Sequence, residues 1–308
     1  MSGAFLVFDI ETVLDPELPI AESQDAKALP SPPYHRVIAI GALLIGADYS
    51  MKRLGIVGRD SQDEAIQLGE FADLVEKHRP TLVSFNGRSF DLPVIATRCL
   101  RHGIPFRGYY RSRDMRYRFT EEGHFDLMDF VADYGAATKS RLDVLAKLCG
   151  MPGKVGVDGK DVGPLYHAGR LAEIRDYCLC DVVQTAGVFL RVQLLRGVLG
   201  RAAYVEAMRG LIRLSETDER VRPVRAAMNV ERLLLGEPLV PVAAEPLDSA
   251  EAEPLAPAAA EPLVGAPGVG AEAGAAEPAG IDSSSHGESD GEPAPGAPWP
   301  DELDEPAA

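Results

Sequence analysis

The sequence predicts an α/β domain with a mixed sheet. Two observations carry this: three short apolar, β-branched runs open the chain, and further strand-like runs then alternate with segments of helical periodicity. A third observation sets the limit of the fold. Beyond Gly236 the composition collapses into Ala, Pro, Glu and Gly with repeated Glu-Pro-Leu steps. Such a segment cannot bury enough apolar surface to offset its conformational entropy, so residues 237–308 are expected to be a disordered acidic tail.

The elements follow in order. Residues 4–12 (AFLVFDIET) form an apolar, aromatic and β-branched run, and residues 36–45 and 52–57 are similar, with a Gly46-Ala47-Asp48 turn between them. Ile66, Leu68, Phe71, Leu74 and Val75 recur at helical spacing within residues 60–78, Pro80 stops that helix, and residues 81–85 read as a fourth strand. A second helix is expected over 91–101. Residues 104–123 are expected to be an irregular connection, the most basic and aromatic of the chain, with Arg107, Arg111, Arg113, Arg116 and Arg118 among Tyr109, Tyr110 and Tyr117. Residues 125–130 suggest a strand entering a helix, 141–148 a helix stopped by Gly150, and 153–163 a Gly-rich loop. A long helix over 170–195 and two helical stretches, 202–214 and 221–235, complete the folded part.

The net charge of −16 would ordinarily argue against a polyanionic partner. Of the 47 acidic residues, however, 16 lie from Glu237 onward, and no Lys or Arg follows Arg232, which leaves 31 acids against 31 bases in residues 1–236. A neutral body with clustered bases can bind a polyanion through one face while metal ions screen an acidic site. The four cysteines, Cys99, Cys149, Cys178 and Cys180, lack the paired spacings of a zinc site and are expected to be reduced, buried thiols. With no basic leader or cleavage site and no apolar run of ~18 residues, a cytoplasmic protein without a membrane partner is expected.

Period two places Asp9 and Glu11 on one face of the first strand, about 7 Å apart and within reach of a shared cation. Their flanks, Phe5 to Phe8 and Ile10, indicate a covered strand, where unpartnered acids are costly. Asp91 lies just after the fourth strand. There it can cap the following helix, and it also stands where open α/β sheets bind ligands. Tyr177 and Asp181 are four apart on the long helix and share a face, a spacing that by itself fits a solvated surface.

Taken in order, the set resembles the proofreading exonuclease domain of family-B DNA polymerases, within the DnaQ-like, DEDDy-type 3'→5' exonuclease superfamily. The resemblance rests on Phe8-Asp9-Ile10-Glu11-Thr12, on Asn86 followed by Phe90-Asp91, and on Tyr177-Cys178-Leu179-Cys180-Asp181. It spans residues 4–195, and no polymerase palm or fingers fits in the remainder. The chain is thus similar to the predicted polymerase-B-like exonucleases of bacteria that lack the polymerase, although Cys180 stands where a basic residue is common.

The resemblance implies an RNase H-like exonuclease domain over 1–196, with a helical extension over 197–236. It also implies two divalent ions: Asp9, Glu11 and Asp181 would hold the first, Asp9 would bridge to the second, Asp91 would act on the second through water, and Tyr177 would aim the attacking water. Two such ions generate a nucleophile near neutral pH and offset charge on the leaving oxygen, and carboxylate oxygens suit Mg²⁺ or Mn²⁺ better than Zn²⁺. The implied substrate is the 3' end of single-stranded DNA, or of RNA. Asn86 and Phe90 are candidates for binding it, as are Arg111 and Tyr117 from the basic, aromatic stretch, which also reads as a solvated loop.

Lys154 and Lys160 are further candidates to approach phosphates, in a loop that fails the P-loop pattern. For Asp126 and Asp129 beside His124 a strand-edge or helix-start role is expected, with Asp126 a secondary site candidate by the resemblance. The competing expectation is a catalytically weak nucleic-acid-binding or scaffold protein acting through its acidic tail on a protein partner, with Trp299 as anchor.

Overall fold

The computed structural model describes residues 3–18, 29–59, 61–156 and 158–239; the expected tail beyond Leu239, Trp299 included, lies outside them. Five strands form one sheet: β1 (Phe5–Leu14), β2 (His35–Ile45), β3 (Met51–Ile56), β4 (Thr81–Ser84) and β5 (His124–Asp126). Their order is β3-β2-β1-β4-β5. β1, β2 and β3 pair antiparallel, whereas β4 runs parallel to β1 and β5 parallel to β4. This is the mixed α/β sheet expected of an RNase H-like domain.

Helices α1 (Glu64–His78) and α2 (Asp91–His102) precede two short ones, α3 (Arg107–Arg111) and α4 (Arg113–Arg116). There follow α5 (Leu127–Val131), α6 (Leu142–Cys149), α7 (Val162–His167), α8 (Leu171–Leu195), α9 (Arg201–Thr217), α10 (Arg222–Ala227) and α11 (Val230–Leu233). The 104–123 connection is therefore more ordered than its composition suggests. The Ser112 hydroxyl accepts from the Met115 N–H at 3.3 Å and caps α4.

β1 is covered on both faces, which explains its near-continuous apolar sequence. Phe5 and Val7 pack under α8, with the Phe5 and Phe189 rings 5.1 Å apart. Leu6, Phe8 and Ile10 enter the core beneath α1 and α2, where the Phe8 and Phe71 rings are 5.2 Å apart. α8 is long and apolar enough to cross a membrane, yet 78% of its most apolar window is buried inside this domain. Tyr204, Met208, Leu211 and Leu233 join the core under α8, so the helices after residue 196 pack on the same body.

Pairing in β1 slips by one residue immediately after Glu11, which faces Ala39 while Thr12 faces Val37. Such a bulge bends the strand and re-aims its side chains at the carboxyl end of the sheet.

Candidate active site

Asp9 and Glu11 continue the Phe5, Val7 face of β1 and therefore look toward α8. Gly41 faces Asp9 across the β1–β2 ladder. A Cβ at Gly41 would stand 2.9 Å from Cys178 Sγ and 3.1 Å from Val182 Cγ2, so the missing side chain is what lets α8 approach here. That approach carries Tyr177, Cys178 and Asp181 to the acids. Cys178 Sγ lies 3.5 Å from the Asp9 carbonyl oxygen and 3.9 Å from Asp9 Oδ2.

Asp91 arrives from the other side. It is the first residue of α2, but the N-cap position belongs to Phe90, which makes no capping bond. Its carboxylate instead reaches across to β1, where Oδ1 accepts from the Ile10 N–H at 3.2 Å, between Asp9 and Glu11. The turn that delivers Asp91 places Asn86 in the left-handed region, at φ 70°. Asp126 clamps that turn, accepting from the Asn86 N–H at 3.0 Å and the Arg88 N–H at 2.9 Å. The same carboxylate caps α5 through the N–H groups of Met128 and Asp129, which is the helix-start role expected of it.

The four carboxylates lie close enough to disturb one another. Burial, then repulsion from Asp91, Glu11 and Asp181, holds Asp9 well above the usual carboxylate range. Burial and the charges of Asp181 and Asp91 do the same to Glu11. Burial pushes Asp91 up to about 7, with Asp126 adding to it and the N–H groups of Asp91 and Ile10 opposing. Asp181 is pushed up to about 6 by burial, against the Tyr177 hydroxyl, Lys154 and the Gln184 amide, which donates to it at 3.3 Å.

Tyr177 is itself raised above its ordinary range, by burial and by the charges of Asp181 and Glu11, so its hydroxyl keeps its proton and donates to Asp181. Crowded acids of this kind take up either protons or cations. Hard oxygen donors on three separate elements fit a divalent cation.

Other sequence candidates divide by position. Phe90 stands at the rim, edge-on to the His35 ring at 4.9 Å, and His35 bonds the Thr12 hydroxyl at 3.1 Å. Asn86 sits in the turn that carries Asp91. Arg111 does not join the site: with Arg79, Arg107 and Asp114 it lines a cleft of about 310 Å³ beside Pro80, at the amino end of β4. The acids gather at the carboxyl end, and α3, packed on α1, leaves Arg111 at the opposite end of the strands.

Tyr117 is exposed, edge-on to Phe119 at 5.8 Å, with the Arg113 guanidinium 5.7 Å from its ring. Arg118 is engaged within the fold by Asp129, at 3.1 and 2.8 Å.

Beside the acids, Arg141, Lys154 and Gln184 line a cleft of about 110 Å³ together with Tyr177 and Asp181. Lys154 was foreseen from its loop; Arg141 and Gln184 were not. Gln184 lies three residues after Asp181 on α8, a spacing that marks it as a neighbour. Cys178 was likewise missed as a wall of the site, although it lies three residues before Asp181 on that helix.

A family model described as a predicted 3'-5' exonuclease related to the exonuclease domain of PolB matches residues 29–224. Asp91, Tyr177 and Asp181 fall inside that stretch, while β1 precedes it and joins them through the fold. Similar solved structures include a product-bound exonuclease I, at 14% identity and a TM-score of 0.35, covering 68% of this chain and 47% of that one. E. coli exonuclease I in complex with a 5cy-dT13 oligonucleotide is 14% identical with a TM-score of 0.32, over 68% of this chain and 50% of that one. The zinc ion bound form of an E. coli ExoI-ssDNA complex is also 14% identical, with a TM-score of 0.30 and the same 68% and 50% coverage. The chain thus spans about half the length of these proteins. No curated protein matches it significantly. With its family model covering well over half of the residues, the chain belongs to the family of predicted 3'-5' exonucleases related to the exonuclease domain of PolB.

Proposed function

We propose that the chain is a metal-dependent 3'→5' exonuclease that removes nucleoside monophosphates from the free 3' end of a nucleic acid, with single-stranded DNA the preferred substrate and RNA the second. One observation carries the reading: Asp9, Glu11, Asp91 and Asp181, from a strand and two helices, converge, burial raises every one of them, and the charges of the other members raise Asp9 and Glu11 further. Their site matches the two-cation chemistry of phosphodiester hydrolysis, and the family description supports the direction. These four residues would hold the ions, which when bound supply a nucleophile near neutral pH and offset charge on the leaving oxygen.

The rest falls to the chain's own groups. Tyr177 keeps its proton, so it serves as a donor that fixes the attacking water and is unsuited to act as a base. Gln184 steadies the Asp181 carboxylate. Lys154 and Arg141 present positive charge to the phosphate from the adjoining cleft, and Phe90 offers a ring to the terminal base. Tyr110, Tyr117 and Phe119 are exposed, with Arg116 and Arg113 over the two tyrosine rings. Rings with interleaved cations hold a single strand without reading its sequence, which supports that substrate class.

The test is digestion of 3'-labelled and 5'-labelled single-stranded DNA and RNA with Mg²⁺ or Mn²⁺, beside the Asp9→Ala protein. The expected result is a metal-dependent ladder that shortens from the 3' end and is lost in the variant. Undiminished digestion by Asp9→Ala would overturn the reading.

A further inference from the structure

Cys178 stands inside the carboxylate cradle, where a hard, oxygen-seeking ion has no use for it. One donor atom from each of Asp9, Glu11 and Cys178 lies within 4.8 Å of the others, a grouping of two hard donors and one soft donor. The thiol is wholly buried at 0% exposure, and Glu11 is only 8% exposed. Despite that burial, the Glu11 carboxylate has no hydrogen-bond or ion-pair partner among the described residues, so a buried acid beside the thiol stands ready for a ligand. Two features fix the sulfur here. The turn of α8 sets Cys178 on the face of Asp181, and Gly41 lies so near that even a Cβ there would meet Sγ at 2.9 Å.

Resting on the reading of the cradle as a divalent-cation site, we propose that Cys178, Asp9 and Glu11 form a site for a thiophilic divalent ion of the Zn²⁺ class. Binding releases the thiol proton to solvent and forms a metal–thiolate bond. Zn–S and Zn–O bonds of ~2.3 and ~2.0–2.2 Å bring such donors somewhat closer than they now stand, a side-chain adjustment. Mg²⁺ gains little from a thiolate and Zn²⁺ gains much, so the cysteine tilts a hard site toward the softer ion. Because Asp9 and Glu11 belong to both sites, Zn²⁺ displaces the Mg²⁺ or Mn²⁺ pair and arrests hydrolysis.

The test uses the full chain stripped of metal. Titration with Cd²⁺ or Co²⁺ is expected to raise a thiolate-to-metal charge-transfer absorption that persists in Cys180→Ser and vanishes in Cys178→Ser. Loss of even an outer-shell partner costs about 10–100-fold in affinity, so removing this direct ligand in Cys178→Ser should lower Zn²⁺ affinity, measured by calorimetry, by at least as much. X-ray absorption of the Zn²⁺-loaded natural chain needs no variant and should give a sulfur shell at ~2.3 Å. An oxygen-only shell, or a charge-transfer band that survives Cys178→Ser, would overturn the proposal. Digestion assays separate the two readings: an oxygen-only shell in a chain that digests DNA with Mg²⁺ removes the thiophilic site alone. A sulfur shell in a chain that digests nothing upholds that site and removes the exonuclease.

Discussion

Two clusters of acids lie along the same strand and its continuation, and they differ in their counter-charge. Asp15 and Glu64 are 5% and 3% exposed, as deep as Glu11 and Asp91 at 8% and 4%. Arg98 lies between the first two, 2.7 Å from Asp15 Oδ2 and 2.6 Å from Glu64 Oε2. Burial alone would raise both carboxylates, but the Arg98 hydrogen bonds overcome it and both lie below their ordinary values. Among the described residues the Asp9 cluster has no guanidinium within it, and every member is raised. Where the chain carries its own counter-charge, the acids bind β2, α1 and α2 together. Where it does not, the counter-charge must come from solution.

The largest expected effect breaks the first cluster. Arg98→Met leaves Asp15 and Glu64 buried without their cation and should cost roughly 3–5 kcal/mol, read from urea unfolding. In the second cluster Asp9→Asn removes a repelling charge, so it should leave the metal-free melting temperature unchanged or raise it while abolishing digestion. A loss of stability in Asp9→Asn as large as that in Arg98→Met would erase the distinction.

The pH dependence sharpens it. Asp91 and Asp181 are raised from 3.8 to about 7 and about 6, so between those values the folded chain binds more protons than the unfolded one. Stability of the metal-free protein should therefore fall as pH rises from about 4 to about 7. Mg²⁺ or Mn²⁺ should raise the melting temperature by more at the upper end of that window, because the ions compete with protons. Asp15 and Glu64 have the opposite sign. Their contribution is present above the ordinary carboxylate range and is lost as pH falls below about 4. Melting curves across pH should lose the acid limb in Arg98→Met and shrink the upper limb in Asp91→Asn, which removes the more strongly raised of the two groups.

Within the second cluster Tyr177→Phe should lower turnover about 10–100-fold and leave the pH limbs in place, since a protonated hydroxyl contributes orientation and no titrating charge. A shift in the pH profile of digestion would instead mark Tyr177 as a base.

β1 and β2 were legible because they are covered on both faces and so run apolar nearly without a break, and α8 because its periodicity is long. Asp9, Glu11, Asp91, Tyr177 and Asp181 were legible as an ordered set of chemical types. Spacing within one strand or one helix could not show that these elements meet. Arg111 shows the limit: composition marks a stretch as basic and aromatic, but the path of the chain decides which end of the sheet receives each of its residues. Asp91 likewise reads as a cap from its place before a helix, and only the register of β1 beside α2 reveals the Ile10 N–H it accepts from.

Gly41 gives the smallest expected effect and the most local test of how the second cluster is built. In sequence it is an unremarked glycine within a strand, where a side chain would normally strengthen the sheet. In the fold its Cβ would stand 2.9 Å from Cys178 Sγ and 3.1 Å from Val182 Cγ2, so Gly41→Ala must displace two buried side chains of α8. Overpacking of this kind costs about 1–3 kcal/mol. Those two side chains flank Asp181 on α8, so the crowding falls on the wall of the site that α8 supplies, while Asp91, held by β1 and α2, is untouched. Gly41→Ala should therefore weaken Mg²⁺ binding and slow digestion more than its modest loss of stability implies. Gly55→Ala, on the neighbouring β3 with open space at its Cβ, should do neither.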